Sequence, residues 1–141
     1  MNILIVDDDF VNRTLMQEFL KSYGVCHLAA NGAEALIAVD GMLDRKTPYE
    51  LICLDIMMPG IDGNEVLKKV RQLEKQRGIG GSDAVKVIMT SALSDAKNIM
   101  QSLVRGSSDG YLTKPIDLMK MKQLLNDFGI HPHPPGYCAA T

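Results

Sequence analysis

Short apolar runs alternate with helical patterns along most of this chain, and this alternation limits the possible folds more than any other feature. Residues 3–6, 51–54 and 85–89 are apolar throughout or nearly so, as is typical of strands buried on both faces of a parallel sheet. Residues 25–29 and 111–113 are weaker candidates, and the first of these has the pattern of an edge strand. The sequence therefore predicts five strands.

Between these runs, apolar side chains recur every three or four residues, which is the period of a helix with one buried face. Residues 32–44 predict a less regular helix rich in Ala and Leu. Strands that alternate with helices form right-handed crossovers, so we expect one doubly wound α/β sheet with five helices. The other four helices have these apolar positions: Leu15, Met16, Phe19, Leu20 and Tyr23; Val66, Leu67, Val70 and Leu73; Ala96, Ile99, Met100, Leu103 and Val104; Leu118, Met121, Leu125 and Phe128.

Length and composition restrict the class of protein. The 141 residues suffice for one domain, and 46% apolar with 23% charged residues is typical of a globular protein. A net charge of -2 gives no general attraction to nucleic acid or to an anionic membrane. Three acids follow the first apolar run directly, which excludes a signal peptide. Three cysteines without CxxC spacing indicate reduced thiols, so we expect a cytoplasmic protein without direct nucleic-acid or membrane partners.

Two segments indicate where the regular structure stops. Residues 74–83 contain three glycines and predict a long loop before the fourth strand. Three prolines after residue 131 prevent the last helix from continuing. The sequence therefore predicts a domain over residues 1–128 and a Pro-rich C-terminal tail over residues 129–141.

Polar side chains occur at the end of four of the five predicted strands. Asp7 and Asp8 follow the first strand, Asp55 ends the third, Ser91 ends the fourth and Lys114 follows the fifth. The carboxyl ends of parallel strands lie at one edge of the sheet, which is where ligands bind in open α/β folds. We therefore expect these residues to meet in one small volume.

The chemistry of this predicted cluster favours a metal ion and phosphoryl transfer. Three neighbouring carboxylates repel each other unless a cation binds. Oxygen ligands without His or Cys suit Mg²⁺, and a carboxylate next to Mg²⁺ and a lysine can accept a phosphoryl group. Lys114 would offset charge on the transferred oxygens, and a hydroxyl such as that of Ser91 would donate a hydrogen bond to one of them.

Four motifs in this order and spacing resemble the receiver domain of two-component response regulators, in particular the single-domain, chemotaxis-type members. They are ILIVDDD with Arg13 downstream, LICLDIMMPGIDG, VIMTSA and DGYLTKPID, and they extend from about residue 2 to residue 128. The resemblance implies a flavodoxin-like sheet of strand order 2-1-3-4-5 with five helices. It also implies a phosphorylation-dependent switch that is not an enzyme, except for catalysing its own phosphorylation and slow dephosphorylation.

The resemblance assigns a role to each residue of the predicted metal site. Asp55 corresponds to the phosphorylated aspartate. Asp8 corresponds to the direct Mg²⁺ ligand, and Asp7 binds through a metal-bound water. The backbone carbonyl of Met57 completes the set, and we expect Mn²⁺ to substitute for Mg²⁺.

The resemblance also assigns the residues that bind the phosphate and those that change conformation on activation. Lys114 corresponds to the phosphate-binding lysine, followed by a cis peptide bond to Pro115. Tyr111 corresponds to the aromatic residue that rotates inward on activation. Two residues of VIMTSA could supply the switch hydroxyl; Ser91 fits the family pattern of a hydroxyl before Ala, and Thr90 is the alternative.

The resemblance also implies partners. A sensor histidine kinase or a phosphotransfer protein would give its phosphoryl group to Asp55, and a downstream protein would bind the face of the fourth helix, fifth strand and fifth helix. The start at Met1 and the unusual tail favour a stand-alone regulator over a receiver cut from a longer chain. Met57 and Leu93 occupy the positions at which fast family members orient the hydrolytic water, so we expect slow dephosphorylation.

An alternative function is a phosphatase similar to the haloacid dehalogenase superfamily. Residues 7–11, DDDFV, satisfy the pattern DxDx[TV] after a strand, with Asp7 and Asp9 as the catalytic acids. That superfamily needs a late acidic pair, which this chain lacks, and Asp55 would have no role. A degenerate receiver that binds its partners constitutively would lack an acid or the lysine, and all are present.

Overall fold

The computed structural model describes residues 1–92 and 108–134, and its five strands form one parallel sheet. The strand order is β2-β1-β3-β4-β5, which confirms the predicted flavodoxin-like topology and the edge position of β2. The elements are β1 (Asn2–Val6), α1 (Phe10–Leu20), β2 (Val25–Ala29), α2 (Gly32–Asp44), β3 (Leu51–Asp55), α3 (Gly63–Gln76), a 3-10 turn (Gly81–Asp83), β4 (Lys86–Ala92), β5 (Gly110–Lys114) and α4 (Leu118–Asp127).

Four α-helices lie in the described part of the chain, where the sequence predicts five for the whole. The fourth predicted helix, at residues 96–104, falls outside the described residues, so α4 is the fifth predicted helix. α3 continues to Gln76, which makes the first three residues of the predicted loop, 74–76, helical. That prediction was wrong there because Glu74 is buried, and its carboxylate accepts a hydrogen bond from Val85 N–H.

The sheet separates two apolar cores, because side chains alternate between its faces. Ile52 and Leu54 face α2 and α3 with Val66 and Leu67. On the other face, the core contains these buried side chains: Ile3, Ile5, Met16, Leu20, Tyr23, Leu51, Cys53, Ile88, Leu112, Met121 and Leu125. Burial of each Leu or Ile contributes about 1.5–3 kcal/mol, so both sides of the central strands are fixed in register.

All four helices begin at a side-chain cap, and each cap follows a strand end. Asp9, Asn31, Asp62 and Asp117 each accept a hydrogen bond from a backbone N–H of the first helical turn, which satisfies a donor that the helix leaves unpaired. The turns between strand and helix are therefore ordered at the carboxyl edge of the sheet, where the sequence places the site.

The chain after α4 also contacts the domain. Gly129, with φ of 78°, ends the helix, and Ile130 N–H donates to the carbonyl of Leu125 at 2.8 Å, as in a Schellman motif. Ile130 packs against the second core, and His133 N–H donates to the Ser22 carbonyl at 2.7 Å. Among the described helices, none combines the length and apolar character needed to cross a bilayer.

Candidate functional site

Three carboxylates meet at the carboxyl edge of the sheet. Asp55 is the last residue of β3, and Asp7 directly follows β1, where its N–H donates to the Ala29 carbonyl of β2 at 3.1 Å. Oxygen atoms of Asp7, Asp8 and Asp55 all lie within 4.8 Å of one another. Asp7 is 5% and Asp55 1% exposed, whereas Asp8 is exposed. Three residues that the sequence predicts to meet therefore do so.

Lys114, at the end of β5, lies between the two buried carboxylates. Its Nζ is 3.1 Å from Asp7 Oδ2 and 3.2 Å from Asp55 Oδ2. The Lys114–Pro115 peptide bond is cis, as predicted. Three carboxylates therefore share one contacting ammonium in the described part of the chain, so negative charge is in excess.

This charge balance changes the acidity of two groups. The pKa of Asp55 is raised to about 7: burial is the largest cause, Asp7 adds to it, and Lys114 and the Met57 N–H oppose it. Burial opposes the charge on Lys114, but the two carboxylates outweigh that effect and raise the pKa of its ammonium. Burial therefore makes Asp55 hold its proton more strongly than an exposed aspartate does, while Lys114 stays charged.

The donor set fits a hard divalent cation. Asp55 Oδ2 is buried, and no donor in the described residues makes a hydrogen bond to it; its polar neighbour is Lys114 at ion-pair distance. A buried acceptor without a hydrogen bond is costly. Carboxylate oxygens from three residues, without sulfur or imidazole, are the ligands that Mg²⁺ prefers.

Asp9 lies outside this cluster, although it follows Asp8 directly. Its side chain is exposed and caps α1, accepting hydrogen bonds from Val11 N–H at 2.9 Å and Asn12 Nδ2 at 3.3 Å. A catalytic acid of the phosphatase alternative would have to lie next to Asp7 in the site. Because Asp9 forms a helix cap, the phosphatase alternative is not supported.

The turn after β3 brings the backbone close to Asp55. Met57 N–H donates to Asp55 Oδ1 at 3.3 Å, and the Met57 side chain is 53% exposed. Gly63, the first residue of α3, donates its N–H to the Ile56 carbonyl at 2.7 Å. A Cβ at Gly63 would overlap the Asp55 carbonyl oxygen, so glycine is required for α3 to start this close to the acid.

Both candidate hydroxyls lie near the end of β4. Thr90 is opposite Asp55 in the strand register, and Ser91 is one residue further. Successive residues of a strand project to opposite faces, and Thr90 lines a small cavity with Asp7 and Asn12. Ser91 is 1% exposed, with its hydroxyl 3.4 Å from the Ala92 carbonyl. The two alternatives therefore stay open.

Tyr111 lies in β5, opposite Met89, and its side chain is 42% exposed. It is thus on the surface, three residues before Lys114. Leu93, which the sequence connects with slow dephosphorylation, lies outside the described residues.

Sequence reasoning missed a polar cluster at the opposite, amino edge of the sheet. Arg71 of α3 contacts Glu74 at 2.8 Å, the Val85 carbonyl at 2.9 Å and Asp109 at 3.3 Å. Glu74 lies four residues after Val70, at a position on the apolar stripe of α3. A charged residue at such a position was the signal that could have revealed the cluster.

Comparisons with known proteins agree with this geometry. The model of the response regulator receiver domain family matches residues 3–126. An uncharacterized 14.6 kDa protein of Leptolyngbya boryana is 33% identical over 129 residues, which is 91% of this chain and 89% of that protein. The sensor histidine kinase GacS of Pseudomonas protegens is 32% identical over 124 residues, 87% of this chain and 12% of the kinase.

A solved structure shows the same fold. In the co-crystal structure of the Saccharomyces cerevisiae histidine phosphotransfer signaling protein Ypd1 with the receiver domain of its downstream response regulator Ssk1, the matching chain is 30% identical. The TM-score is 0.73, and the match covers 89% of this chain and 86% of that one. The chain spans 10% to 20% of the length of the first three curated relatives it matches. It belongs to the response regulator receiver domain family, whose members act in two-component phosphorelay signalling.

Proposed function

We propose that Asp55 is the phosphoacceptor of a two-component signalling switch. A phosphohistidine of a sensor histidine kinase or a phosphotransfer protein supplies the phosphoryl group. A carboxylate oxygen of Asp55 bonds to phosphorus, the phosphorus–nitrogen bond breaks, and the imidazole leaves with the bonding electron pair.

The observation that carries this proposal is the state of the Asp55 carboxylate. It is 1% exposed, its Oδ2 accepts no hydrogen bond from the described residues, and a lysine ammonium lies 3.2 Å from that oxygen. A carboxylate kept for structure would have its acceptors satisfied. An oxygen left in this state has a lone pair available for bond formation.

The metal site follows from the same arrangement. Asp8 and Asp55 would be the direct carboxylate ligands, the Met57 carbonyl would complete the protein ligands, and Asp7 would act through a metal-bound water. Bound Mg²⁺, or Mn²⁺ in its place, supplies positive charge that reduces repulsion between the carboxylates and the incoming phosphate. The formal excess of negative charge and the raised pKa of Asp55 support this assignment.

Lys114 and a hydroxyl of β4 bind the phosphoryl group once Asp55 is phosphorylated. Lys114 already contacts Asp55 Oδ2, so its ammonium is placed to bind a phosphoryl oxygen. The Ser91 hydroxyl, or that of Thr90 as the alternative, donates a hydrogen bond to another phosphoryl oxygen. Tyr111 turns inward when this hydroxyl moves. The phosphorylated form shifts an equilibrium that already exists between two conformations.

A downstream protein binds the face formed by the fourth predicted helix, by β5 and by α4, which is the fifth predicted helix. Exposure of Tyr111 on β5 supports this placement. The relative Ssk1 was crystallised with the phosphotransfer protein Ypd1, which supports a donor of that type. We assign the switch to residues 1–128 and a Pro-rich tail to residues 129–141, whose first residues contact Ser22 and the second core.

Intact mass spectrometry after incubation with acetyl phosphate and Mg²⁺ tests the acceptor. The wild type gains one phosphoryl group, and the gain is absent with EDTA. Asp55→Asn gains none, since an amide is not nucleophilic enough. Asp62→Asn is the matched control, because Asn also caps α3, and it retains full phosphorylation. Full phosphorylation of Asp55→Asn would show that another residue is the acceptor.

The lifetime of the phosphoryl group provides a second prediction. Met57 is 53% exposed beside Asp55, and neither it nor Leu93 can orient a water by hydrogen bonding. Water positioning is worth roughly 100-fold, so we expect slow autodephosphorylation, with a half-life well beyond seconds. The double variant with Met57→Asn and Leu93→Glu shortens it at least tenfold. Phosphoryl decay by mass spectrometry checks this, and an unchanged double variant contradicts it.

A further inference from the structure

Asp8 is the exposed member of the acidic cluster, and the peptide group before it accepts a hydrogen bond from a side chain of α1. Arg13, on the first turn of α1, donates from its guanidinium to the Asp7 backbone carbonyl at 2.7 Å. That carbonyl belongs to the peptide group joining Asp7 to Asp8. Because the peptide group is planar, a fixed carbonyl oxygen also fixes the direction in which the chain reaches the Asp8 Cα.

The other groups of Asp7 are also occupied. Its Oδ1 accepts the Asp9 N–H at 2.9 Å, and its Oδ2 contacts Lys114 Nζ at 3.1 Å. The Asp9 carboxylate in turn caps α1 at Val11. The backbone carbonyl is the third acceptor of Asp7, and Arg13 is its side-chain donor, so Arg13 adds a contact that acts on the Asp7–Asp8 peptide itself.

Arg13 is itself positioned by the helix. Its N–H donates to the Asp9 carbonyl at 3.0 Å, and its guanidinium lies 5.8 Å from the centre of the Phe10 ring. The side chain is half-buried and its bond to Asp7 is partly shielded from water. A guanidinium that also lies against a ring loses less rotational freedom when it donates its hydrogen bond.

We propose that Arg13 is a positioning residue for the divalent cation: it holds the Asp7–Asp8 peptide so that the Asp8 carboxylate faces Asp55. This inference rests on the proposed metal site. Arg13 binds neither the cation nor the phosphoryl group. Residues that orient metal ligands from behind typically change metal affinity 10–100-fold when they are removed.

A simple electrostatic role predicts the opposite result. A guanidinium close to the acidic cluster repels a divalent cation, so its removal should strengthen Mg²⁺ binding if charge alone matters. If positioning dominates, its removal weakens binding, because Asp8 becomes free to turn into solvent. The sign of the change in Mg²⁺ affinity therefore separates the two roles.

Isothermal titration of the metal-free chain with MgCl₂ measures that sign. For Arg13→Ala, we expect a Kd about tenfold higher than for the wild type. Arg13→Lys, which keeps a charged donor, stays within about threefold. Lys21→Ala, which removes an exposed cation at the other end of α1, leaves the Kd unchanged. Thermal unfolding in EDTA establishes that each variant is folded before titration.

Each result supports or overturns the inference. Unchanged or tighter Mg²⁺ binding by folded Arg13→Ala overturns it, as does equal weakening by Arg13→Ala and Lys21→Ala. If Arg13→Ala does not fold, Arg13→Met, which keeps the apolar stem and removes the donor, takes its place: a Kd about tenfold higher supports positioning, and unchanged or tighter binding overturns it. Asp8→Ala distinguishes this failure from that of the proposed function, since a wild type that binds no Mg²⁺, or binds it as well as Asp8→Ala, overturns the metal site and Arg13 together.

Discussion

Each end of the sheet has at least one buried carboxylate, but the two ends balance the charge differently. At the carboxyl edge, Lys114 is the one cation in the described residues that contacts the carboxylates of the three acids, and one buried oxygen of Asp55 accepts no hydrogen bond from those residues. Burial of Asp55 is the main cause of its raised pKa of about 7, and the neighbouring Asp7 adds to it. We therefore expect this end of the sheet to gain stability when a cation binds.

At the amino edge, two acids face two cations. Glu74 and Asp109 contact Arg71, and Lys86 lies 3.8 Å from Asp109. Their carboxylates also accept the backbone N–H groups of Val85 at 2.7 Å and of residue 87 at 2.8 Å. Formal charge is therefore balanced, and buried donors at the start of β4 are satisfied.

The difference shows how one sheet combines stability with reactivity. At the amino edge, Arg71 bonds α3 to the residues that directly precede β4 and β5. The opposite ends of these two strands carry Ser91 and Lys114. A network with all its partners stabilises and fixes geometry, whereas an incompletely compensated one favours binding. We infer that β4 and β5 are anchored at their amino ends and change conformation at their carboxyl ends.

Breaking the amino edge should have the largest effect on stability. Arg71→Met leaves Glu74, whose side chain is 5% exposed, without its cation. Removing one partner of a buried pair costs about 3 kcal/mol, which lowers the Tm by roughly 10 °C for a domain of this size. Calorimetric unfolding in EDTA measures the loss.

A surface pair is the control for this comparison. Lys21 and Glu18 form an ion pair at 2.7 Å, but both side chains are about two-thirds exposed, at 66% and 65%. Lys21→Met should therefore cost under about 0.5 kcal/mol. If Arg71→Met were no more destabilising than Lys21→Met, the amino edge would not be the anchor that we describe.

The sequence sufficed for the fold because its main signals are local. Apolar runs predict the strands, and the period of residues 66–73 predicts α3. The strand ends were less well predicted: β4 extends to Ala92, three residues beyond the predicted 89. Polar Thr90 and Ser91 end the apolar pattern, but pairing with β3 and β5 continues the strand there.

The site was predictable as a meeting of strand ends, and its electrostatics were not. Topology alone brings Asp7, Asp55 and Lys114 to one edge. Whether Lys114 contacts one acid or both depends on how side chains pack between the strands, and the spacing of residues along the sequence does not predict that. The bonds of Arg13 and Arg71 to backbone carbonyls were missed for the same reason: each joins a side chain to main chain 6 or 14 residues away.

Removing the uncompensated charge sharpens the comparison with an effect of opposite sign. Asp55→Asn should raise the free energy of unfolding in EDTA by about 2 to 4 kcal/mol at pH 8, the upper figure being the full pKa difference at about 1.4 kcal/mol per unit. The pKa of Asp55 is near 7 in the folded protein and near 3.8 in the unfolded chain. As the pH rises from 4 to 7, Asp55 ionises in the unfolded chain before it does in the folded protein, so the free energy of unfolding falls. Above pH 7 the loss is constant.

The pH dependence identifies the cause of this gain. Near pH 4, the wild-type Asp55 is protonated and the advantage of Asp55→Asn should vanish. Asp62→Asn, the same change at an exposed helix cap, should have no effect at either pH. Chemical denaturation at pH 4 and pH 8 measures both variants. A destabilised Asp55→Asn at pH 8 would mean that the ion pair with Lys114 outweighs burial.

The smallest effect concerns competition between protons and the cation for Asp55. Metal ligands must be deprotonated, and the pKa of Asp55 is about 7. Between pH 8 and pH 6, the deprotonated fraction falls about tenfold, so Mg²⁺ affinity should fall by about the same factor, equivalent to about 1.4 kcal/mol. Calorimetric titration at pH 6, 7 and 8 measures this, with Asp55→Asn expected to bind more weakly and with less dependence on pH. At the balanced amino edge, no such coupling to a divalent cation is expected. A wild-type affinity that stays constant from pH 6 to pH 8 would mean that Asp55 is ionised throughout, and the contrast between the two edges would then lie in geometry alone.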